Sequence, residues 1–437
     1  MIETIPRSTE GNTSVELVVD LVLAKSDLDY YVYERNQSWH IGLGVQSSLV
    51  VGSTGKLATF QQDDVVRQVP ISSTLEQMAR EFVADNAHAG FKVFGYVGYN
   101  YASHVRGTSY SPGRWPLLHL VVPRYQITVG PDEITVQGED DKDFHDVVQS
   151  LKSTHIKIPP KDAVATDVLQ GAARYTEIVN KALSKIKDRQ ITKVIVSRTV
   201  DLPTRVDMLA ALLVGRKSNT PKRSFSFSYS GYQSTGFSPE LVLSVVKGKV
   251  TTEPLAGTRA RCDDRAECER LKKELESDPK EIVEHIVSVK EAIAELERVC
   301  CQGSVVVEDL MSVRTRGKVQ HLGSAVAGKL QSNKDVWDAL NVLFPSITAS
   351  GIPKQAALKV IGSLESSPRE LYSGGIIMMD PASNDFEATL VLRSVFQDQH
   401  RQWIQAGAGV ISQSHAEREF TETCEKLATI APFLRGE

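Results

Sequence analysis

The 437-residue sequence is informative first by what it lacks. It has no basic surplus, since 50 lysines and arginines stand against 54 acids for a net charge of -4. A phosphate backbone finds no electrostatic footprint on such a chain, so nucleic acid is not an expected partner. The five cysteines (Cys262, Cys268, Cys300, Cys301 and Cys424) are odd in number and form no Cys-x-x-Cys pair. That pattern suits neither a disulfide framework nor a zinc site, and reduced thiols are expected. No apolar stretch reaches bilayer length; the greasiest, 17–24, is interrupted by Asp20, so no membrane partner is expected. Residues 1–11 carry acids and no apolar centre, which argues against a secretory signal and for a soluble cytoplasmic protein.

Common catalytic signatures are missing too. There is no His-Glu-x-x-His and no dinucleotide fingerprint. Residues 52–57 resemble the tail of a phosphate loop, but Val50 and Leu57 occupy slots that need glycine and a hydroxyl. Ser234 lies between Gly231 and Gly236, yet Tyr232 spoils the spacing of a nucleophile elbow.

What remains is a globular composition, 41% hydrophobic and 24% charged, in a chain long enough for one large domain or two ordinary ones. No repeat divides it. The best seam is 157–162, where Pro159 and Pro160 break any regular element. Before it, apolar runs at 30–33, 40–45, 91–97, 117–122 and 125–129 predict strands, antiparallel because the gaps are mostly too short for crossover helices. After it, strand-like runs at 194–197, 224–230, 241–246, 375–379 and 389–396 alternate irregularly with helices. The expectation is an α+β protein of large, mostly antiparallel sheets flanked by helices, with 1–160 a sheet-rich half and 161–437 the functional half of one structural unit.

Two helices carry the same acidic signature. One is predicted to begin at Pro279, with Ile282, Ile286, Val289, Ile293 and Leu296 as its buried stripe. The other is predicted from about His415 to Leu427, with Ala416, Phe420, Cys424 and Leu427 as its stripe. Glu281 and Glu284 then lie about 60° apart on one flank, and Glu419 and Glu422 repeat the relation. If the flanks face each other, four carboxylates converge, and a hard dication such as Mg2+ would make that tolerable. Two solvated helix faces fit the same spacing, and the pattern alone does not choose.

The second half also holds compact strings of unusual composition. They are Lys193-Val-Ile-Val-Ser-Arg198, Gly236-Phe-Ser-Pro-Glu240, Glu253-Pro-Leu-Ala-Gly-Thr-Arg259, Asp278-Pro-Lys-Glu-Ile-Val-Glu-His285 and Val319-Gln-His-Leu-Gly-Ser324. Phe344-Pro-Ser-Ile-Thr-Ala-Ser-Gly-Ile-Pro-Lys354, Leu371-Tyr-Ser-Gly374, Gln405-Ala-Gly-Ala-Gly409 and Glu417-Arg-Glu-Phe-Thr-Glu-Thr-Cys-Glu-Lys426 follow. In this order the chain resembles the chorismate-utilising enzymes, the family of anthranilate synthase component I and isochorismate synthase, and within it the salicylate synthases of siderophore pathways. The likeness runs from about residue 165 to the end, and more weakly through Tyr30-Tyr-Val-Tyr-Glu34 and Gly95-Tyr-Val-Gly-Tyr99.

The resemblance implies an anthranilate-synthase-component-I-like fold with a chorismate pocket in the second half. It implies that Glu281, Glu284, Glu419 and Glu422 hold Mg2+, with Glu284 and Glu422 the direct ligands. It places Tyr372, Arg393, Gly407, Gly257 and Thr258 around the substrate, with Lys426 adding charge and Thr348 as a pocket wall. His321 is expected to assist or orient the loss of pyruvate, although a lone histidine also suits a structural role. Gly375 stands where relatives have alanine. Two positions choose the branch. Ala256 occupies the place of a lysine nucleophile in the aminodeoxychorismate branch, so no covalent adduct can form there. Lys193 replaces the glutamine of the ammonia-using branch and can act as general base for water, with Glu240 as general acid. The expected activity is conversion of chorismate to isochorismate and then to salicylate and pyruvate. An isochorismate synthase stopping at the first step, or a non-catalytic chorismate-binding or Mg2+-binding regulatory module, is the alternative. No amidotransferase subunit is expected, and the chain is expected to be a monomer.

Overall fold

The computed structural model describes every residue except 8–12, 87–89, 140, 153–160, 262–263 and 318. The Pro159–Pro160 seam and Cys262 therefore lie outside the described residues. Two large antiparallel sheets face each other, one of eleven strands and one of twelve. Strands from both sides of residue 160 pair within each. Tyr30–Arg35 lies beside Arg223–Tyr229 in the first sheet, and Val93–Val97 beside Gly375–Asp380 in the second.

Alternation along the strands explains the layers. Tyr31, Tyr33, Phe225, Phe227 and Trp403 of the first sheet meet Phe94, Tyr96, Ile376 and Met378 of the second in one buried aromatic-rich layer. The intervening residues point outward: Val32 joins the core beneath the helices of the first sheet, and Val93 and Val97 that of the second. Helices thus cover both outer faces. One ion cluster ties the sheets together. The Arg223 guanidinium of the first sheet donates to Glu387 of the second at 2.5 and 2.7 Å, and the Tyr33 hydroxyl donates to the same carboxylate at 2.5 Å.

Two sequence expectations are corrected. Residues 389–396 are not one strand. Asp385–Leu390 belongs to the second sheet and Ser394–Gln397 to the first, and residues 391–393 carry the chain across the gap. The neighbouring hairpin crosses at the same level, because Tyr232–Ser238 lies in the first sheet and Leu241–Val246 in the second. The paired segments change sheets together, so an apolar run that reads as one strand is broken by topology.

The second correction concerns helix phase. The helix Pro279–Leu296 begins where expected, with the Asp278 carboxylate accepting from the N–H groups of Lys280 and Glu281. Its buried face, however, holds Glu281, His285, Ser288, Val289, Ala292, Glu295 and Leu296, while Ile286 is 41% exposed. In the helix Ala416–Leu427 the buried residues are Ala416, Glu419, Thr423 and Leu427, with Phe420 and Cys424 only partly covered. Both helices turn polar side chains inward, against the apolar pattern, because both form walls of a polar pocket.

Glu387 is 2% exposed and serves two arginines and a tyrosine, so Glu387→Ala leaves the Arg223 charge buried without its partner. The variant should lose about 3–5 kcal/mol of unfolding free energy, measured as a fall in the denaturant midpoint.

Candidate active site

The pocket opens between the sheets where the two segments cross. It is lined by all the expected site residues except Glu281 and Glu419. Lys193 opens the strand Lys193–Asp201, and Glu240 sits at the hairpin crossing between two strands rather than at a helix start. Gly257 and Thr258 belong to the strand Leu255–Ala260, His321 to Val319–Lys329 and Gly407 to Gln402–Val410. Arg393 occupies the second crossing with φ of 53°, a left-handed conformation that a residue with a side chain adopts only under constraint.

Glu240 is buried at the pocket wall. Its Oε1 accepts a short hydrogen bond from the Thr348 hydroxyl and one at 3.0 Å from Ser346 Oγ. Burial raises its pKa to about 7, against the opposing pull of those two hydroxyls. A protonated carboxyl at neutral pH is the condition for a general acid.

Lys193, 1% exposed, places Nζ 2.9 Å from Glu284 Oε1 and donates to Ser288 Oγ at 3.1 Å. The Ser288 hydroxyl in turn donates to the Glu284 carbonyl at 3.0 Å, so its oxygen is free to accept from the lysine.

Arg393 and His321 form a unit. His321 Nδ1 lies 3.0 Å from the Gly257 carbonyl, which can only accept, so Nδ1 carries the hydrogen. Nε2 is then the acceptor for Arg393 Nη2 at 2.5 Å. Burial and the adjacent Arg393 hold the imidazole well below its usual pKa, consistent with this neutral tautomer. The Arg393 guanidinium also donates to the Arg316 carbonyl at 3.2 Å. It has no carboxylate at ion-pairing distance among the described residues, and it lines the pocket. A buried cation without a counter-ion is a vacancy for an anionic ligand. Tyr372, 2% exposed, lies close to Gly407, where an added Cβ would come 3.0 Å from its hydroxyl.

Each of the four helix glutamates has an internal basic side chain beside it. Glu281 accepts from Arg259 at 3.0 Å, Glu284 lies 2.9 Å from Lys193, Glu419 accepts from Lys280 at 3.0 Å and Glu422 lies 2.8 Å from Lys426. Lys426 also donates to the Gly407 carbonyl at 2.9 Å. The Lys280–Glu419 pair joins the two helices directly. Burial, with Glu284 and Glu422 nearby, raises the pKa of Glu281; burial with Glu422 raises Glu419 to about 7. Burial would raise Glu422 as well, but Lys426, Lys280 and Arg418 outweigh it and hold it low. Among the described residues no three acidic, histidine or cysteine side chains stand grouped at metal-binding spacing. The donor set nevertheless suits a hard dication. It is all oxygen, it comes from two adjoining helices, and Glu419 Oε2 is buried without a hydrogen-bond partner.

Sequence reasoning assigned no role to several residues. Ser288 and Ser346 carried no signal beyond membership of a helix and a string. Gln405 lies in the Gln-Ala-Gly-Ala-Gly string; it lines the pocket, its Nε2 donates to Ser197 Oγ at 2.9 Å, and its buried Oε1 has no partner.

The raised pKa of Glu240 has a stability signature. Its protonated form favours the native state, so the contribution is fully present below the ordinary carboxyl value of 4.5 and is lost as pH rises through about 7. Thermal melts of Glu240→Gln should gain on the parent protein between those pH values, by up to about 3 kcal/mol above pH 7. A difference independent of pH would place the titration elsewhere.

A profile of the chorismate binding enzymes matches residues 28–432. The salicylate synthase of Mycolicibacterium paratuberculosis is 36% identical over 431 residues, covering 96% of this chain and 93% of its own. Anthranilate synthase component 1 of Methanothermobacter thermautotrophicus is also 36% identical, but over 258 residues, 59% of this chain and 55% of its own. Among solved structures, anthranilate synthase component I of Streptococcus pneumoniae superposes with a TM-score of 0.77 at 22% identity, over 91% of this chain and 93% of its own. The menaquinone-specific isochorismate synthase of Escherichia coli gives 0.74 at 20% identity, over 100% and 94%. No described helix is long and apolar enough to cross a membrane.

Proposed function

The chain belongs to the chorismate-binding enzyme family, and we propose that within it this protein acts as a salicylate synthase, converting chorismate to isochorismate and then to salicylate and pyruvate. The observation that carries the reading is one pocket holding a lysine, a buried carboxyl with pKa near 7 and an arginine without a counter-ion. In sequence, the salicylate synthase likeness also spans nearly the whole chain, where the likeness to the anthranilate synthase of Methanothermobacter thermautotrophicus spans 59% of it.

Chorismate is a dianion. Arg393, aimed by His321, takes the enolpyruvyl carboxylate, and Tyr372 with the backbone of Gly257, Thr258 and Gly407 frames it. Burial and the adjacent Arg393 keep His321 neutral against the opposing pull of the Gly257 carbonyl, so its part is to aim the arginine rather than to accept a proton. Mg2+ held by Glu281, Glu284, Glu419 and Glu422 would supply positive charge for the ring carboxylate. Lys193 in its neutral amine form takes a proton from the water that attacks C2, and Glu240 gives its proton to the hydroxyl departing from C4 as water. Ala256 leaves no side-chain nucleophile to compete at that position. Loss of pyruvate then follows by a hydrogen shift within isochorismate, for which the pocket has only to hold the reactive conformer.

The same reading takes water rather than ammonia as nucleophile, so it needs no amidotransferase subunit. It includes a cytoplasmic monomer whose salicylate enters siderophore assembly. A chain that binds chorismate without turning it over is the competing reading, and the Lys193–Glu240 pair speaks against it.

Purified protein given chorismate should yield salicylate and pyruvate in equal amounts, dependent on Mg2+, by chromatography with fluorescence detection. Isochorismate accumulating without pyruvate would reduce the activity to the first step. Lys193→Gln should lower turnover by about 10²-fold or more with chorismate binding retained; undiminished turnover would remove the base assignment. Because Glu240 must be protonated to act, kcat/KM should fall as pH rises through about 7. Glu422→Gln should raise the Mg2+ concentration needed for half-maximal salicylate formation, and an unchanged requirement would overturn its place as a ligand.

A further inference from the structure

The mechanism above leaves a proton unaccounted for at Glu240. After water addition the carboxylate is ionised and Lys193 carries the extra proton. The loss of pyruvate moves hydrogen only within the substrate, so it restores neither group. Glu240 must regain a proton before each new cycle, yet it is 2% exposed and faces a pocket occupied by substrate or product.

The side of Glu240 turned to the segment after residue 344 offers a route. Its Oε1 accepts a short hydrogen bond from Thr348 Oγ1 and lies 3.0 Å from Ser346 Oγ, and the two hydroxyl oxygens are 2.7 Å apart. The three oxygens therefore lie within mutual hydrogen-bonding distance, and the Ser346 hydroxyl can turn its one hydrogen either to Glu240 or to Thr348. Thr348 and Glu240 line the pocket, whereas Ser346 does not, although it is partly exposed. The chain of hydroxyls thus leads from the pocket wall to a partly exposed residue outside the pocket lining. The segment is held rigid. The Thr348 N–H points to Ser346 Oγ at 3.4 Å, Ser350 Oγ donates to the Ser346 carbonyl at 2.8 Å, and 347–349 form one turn of 3-10 helix. Its far end is tied to the base, since Ile352 and Gly351 pair with Lys193 and Val194.

We propose that Ser346 and Thr348 form a hydroxyl relay that re-protonates Glu240 between turnovers, with Ser346 as the entry point. The proposal rests on the salicylate synthase reading and adds a role to it. In the step, the Thr348 hydroxyl proton passes to the Glu240 carboxylate while Thr348 takes the proton of Ser346. Ser346 takes its replacement from a hydronium ion or a buffer acid at the surface. Only O–H bonds break and form, no electrons change hands, and the proton gained balances the one that Lys193 returns to solvent. Ser346 touches neither substrate nor the reacting carbons, so it is a positioning and proton-supplying residue.

The test is Ser346→Ala in the full chain, assayed for salicylate formation with saturating Mg2+. The expected result is a fall in kcat of at least about tenfold with KM held within about twofold. Imidazole buffer should restore the rate in a concentration-dependent way, because a small acid can reach the vacated hydroxyl position. Ser346→Thr should stay close to the parent without added imidazole. Parent-like kcat in Ser346→Ala overturns the relay. So does a loss that neither imidazole nor the threonine variant repairs, which marks a purely structural serine. Parent protein inert towards chorismate would sink the relay together with the reading beneath it, and that outcome is seen before any variant is assayed.

Discussion

Everything at the pocket depends on two chain segments changing sheets side by side. The pairing of Gly236 with Ser394 in the first sheet and of Leu241 with Thr389 in the second brackets the crossing. Within it the Phe237 N–H donates to the Arg393 carbonyl at 3.2 Å, and the Leu390 N–H and Thr389 hydroxyl donate to the Glu240 carbonyl at 3.2 and 3.1 Å. The backbones of Glu240 and Arg393 are thus bonded into one ladder. Neither residue can shift without breaking hydrogen bonds that are buried and have no water to replace them. The strained φ of Arg393 persists because that ladder over-determines it.

Charge is arranged on the same frame. Two helices contribute four glutamates, and four basic side chains (Arg259, Lys193, Lys280 and Lys426) meet them one for one. Such a cluster could not remain buried with all its carboxylates ionised and unmatched. Arg393 stands apart, with a histidine nitrogen and a carbonyl in place of a carboxylate. Its surplus charge is directed at the pocket, which is how an acidic protein can offer a site to a dianion.

Much of this was legible in the sequence, and the misses share a cause. Strands such as 125–129 and 241–246 were read at their observed bounds because hydrophobic runs between turns are local signals. The start of the helix at Pro279 was legible because Asp278 and proline act on the first turn alone. Its buried face was not, since Ile282 and Ile286 outvoted Glu281, His285 and Ser288 in a hydrophobicity count. The run 389–396 misled for the same reason, as it is apolar on both sides of a crossing that no local pattern marks.

The sequence by itself therefore determined which chemical groups are present and in what order: a lysine at 193, an alanine at 256, and two Glu-x-x-Glu pairs. Those are properties of residue type and spacing, and they survive any folding. Only the tertiary structure decided how the groups face one another. It turned two helices so that polar residues point inward, broke an apolar run to place Arg393 between the sheets, and brought Ser346, Thr348 and Glu240 within mutual hydrogen-bonding distance. The physical reason is that orientation in the pocket is fixed by hydrogen bonds between segments more than a hundred residues apart, such as Glu240 with Thr348 and Lys280 with Glu419. No local pattern in the sequence records such pairings.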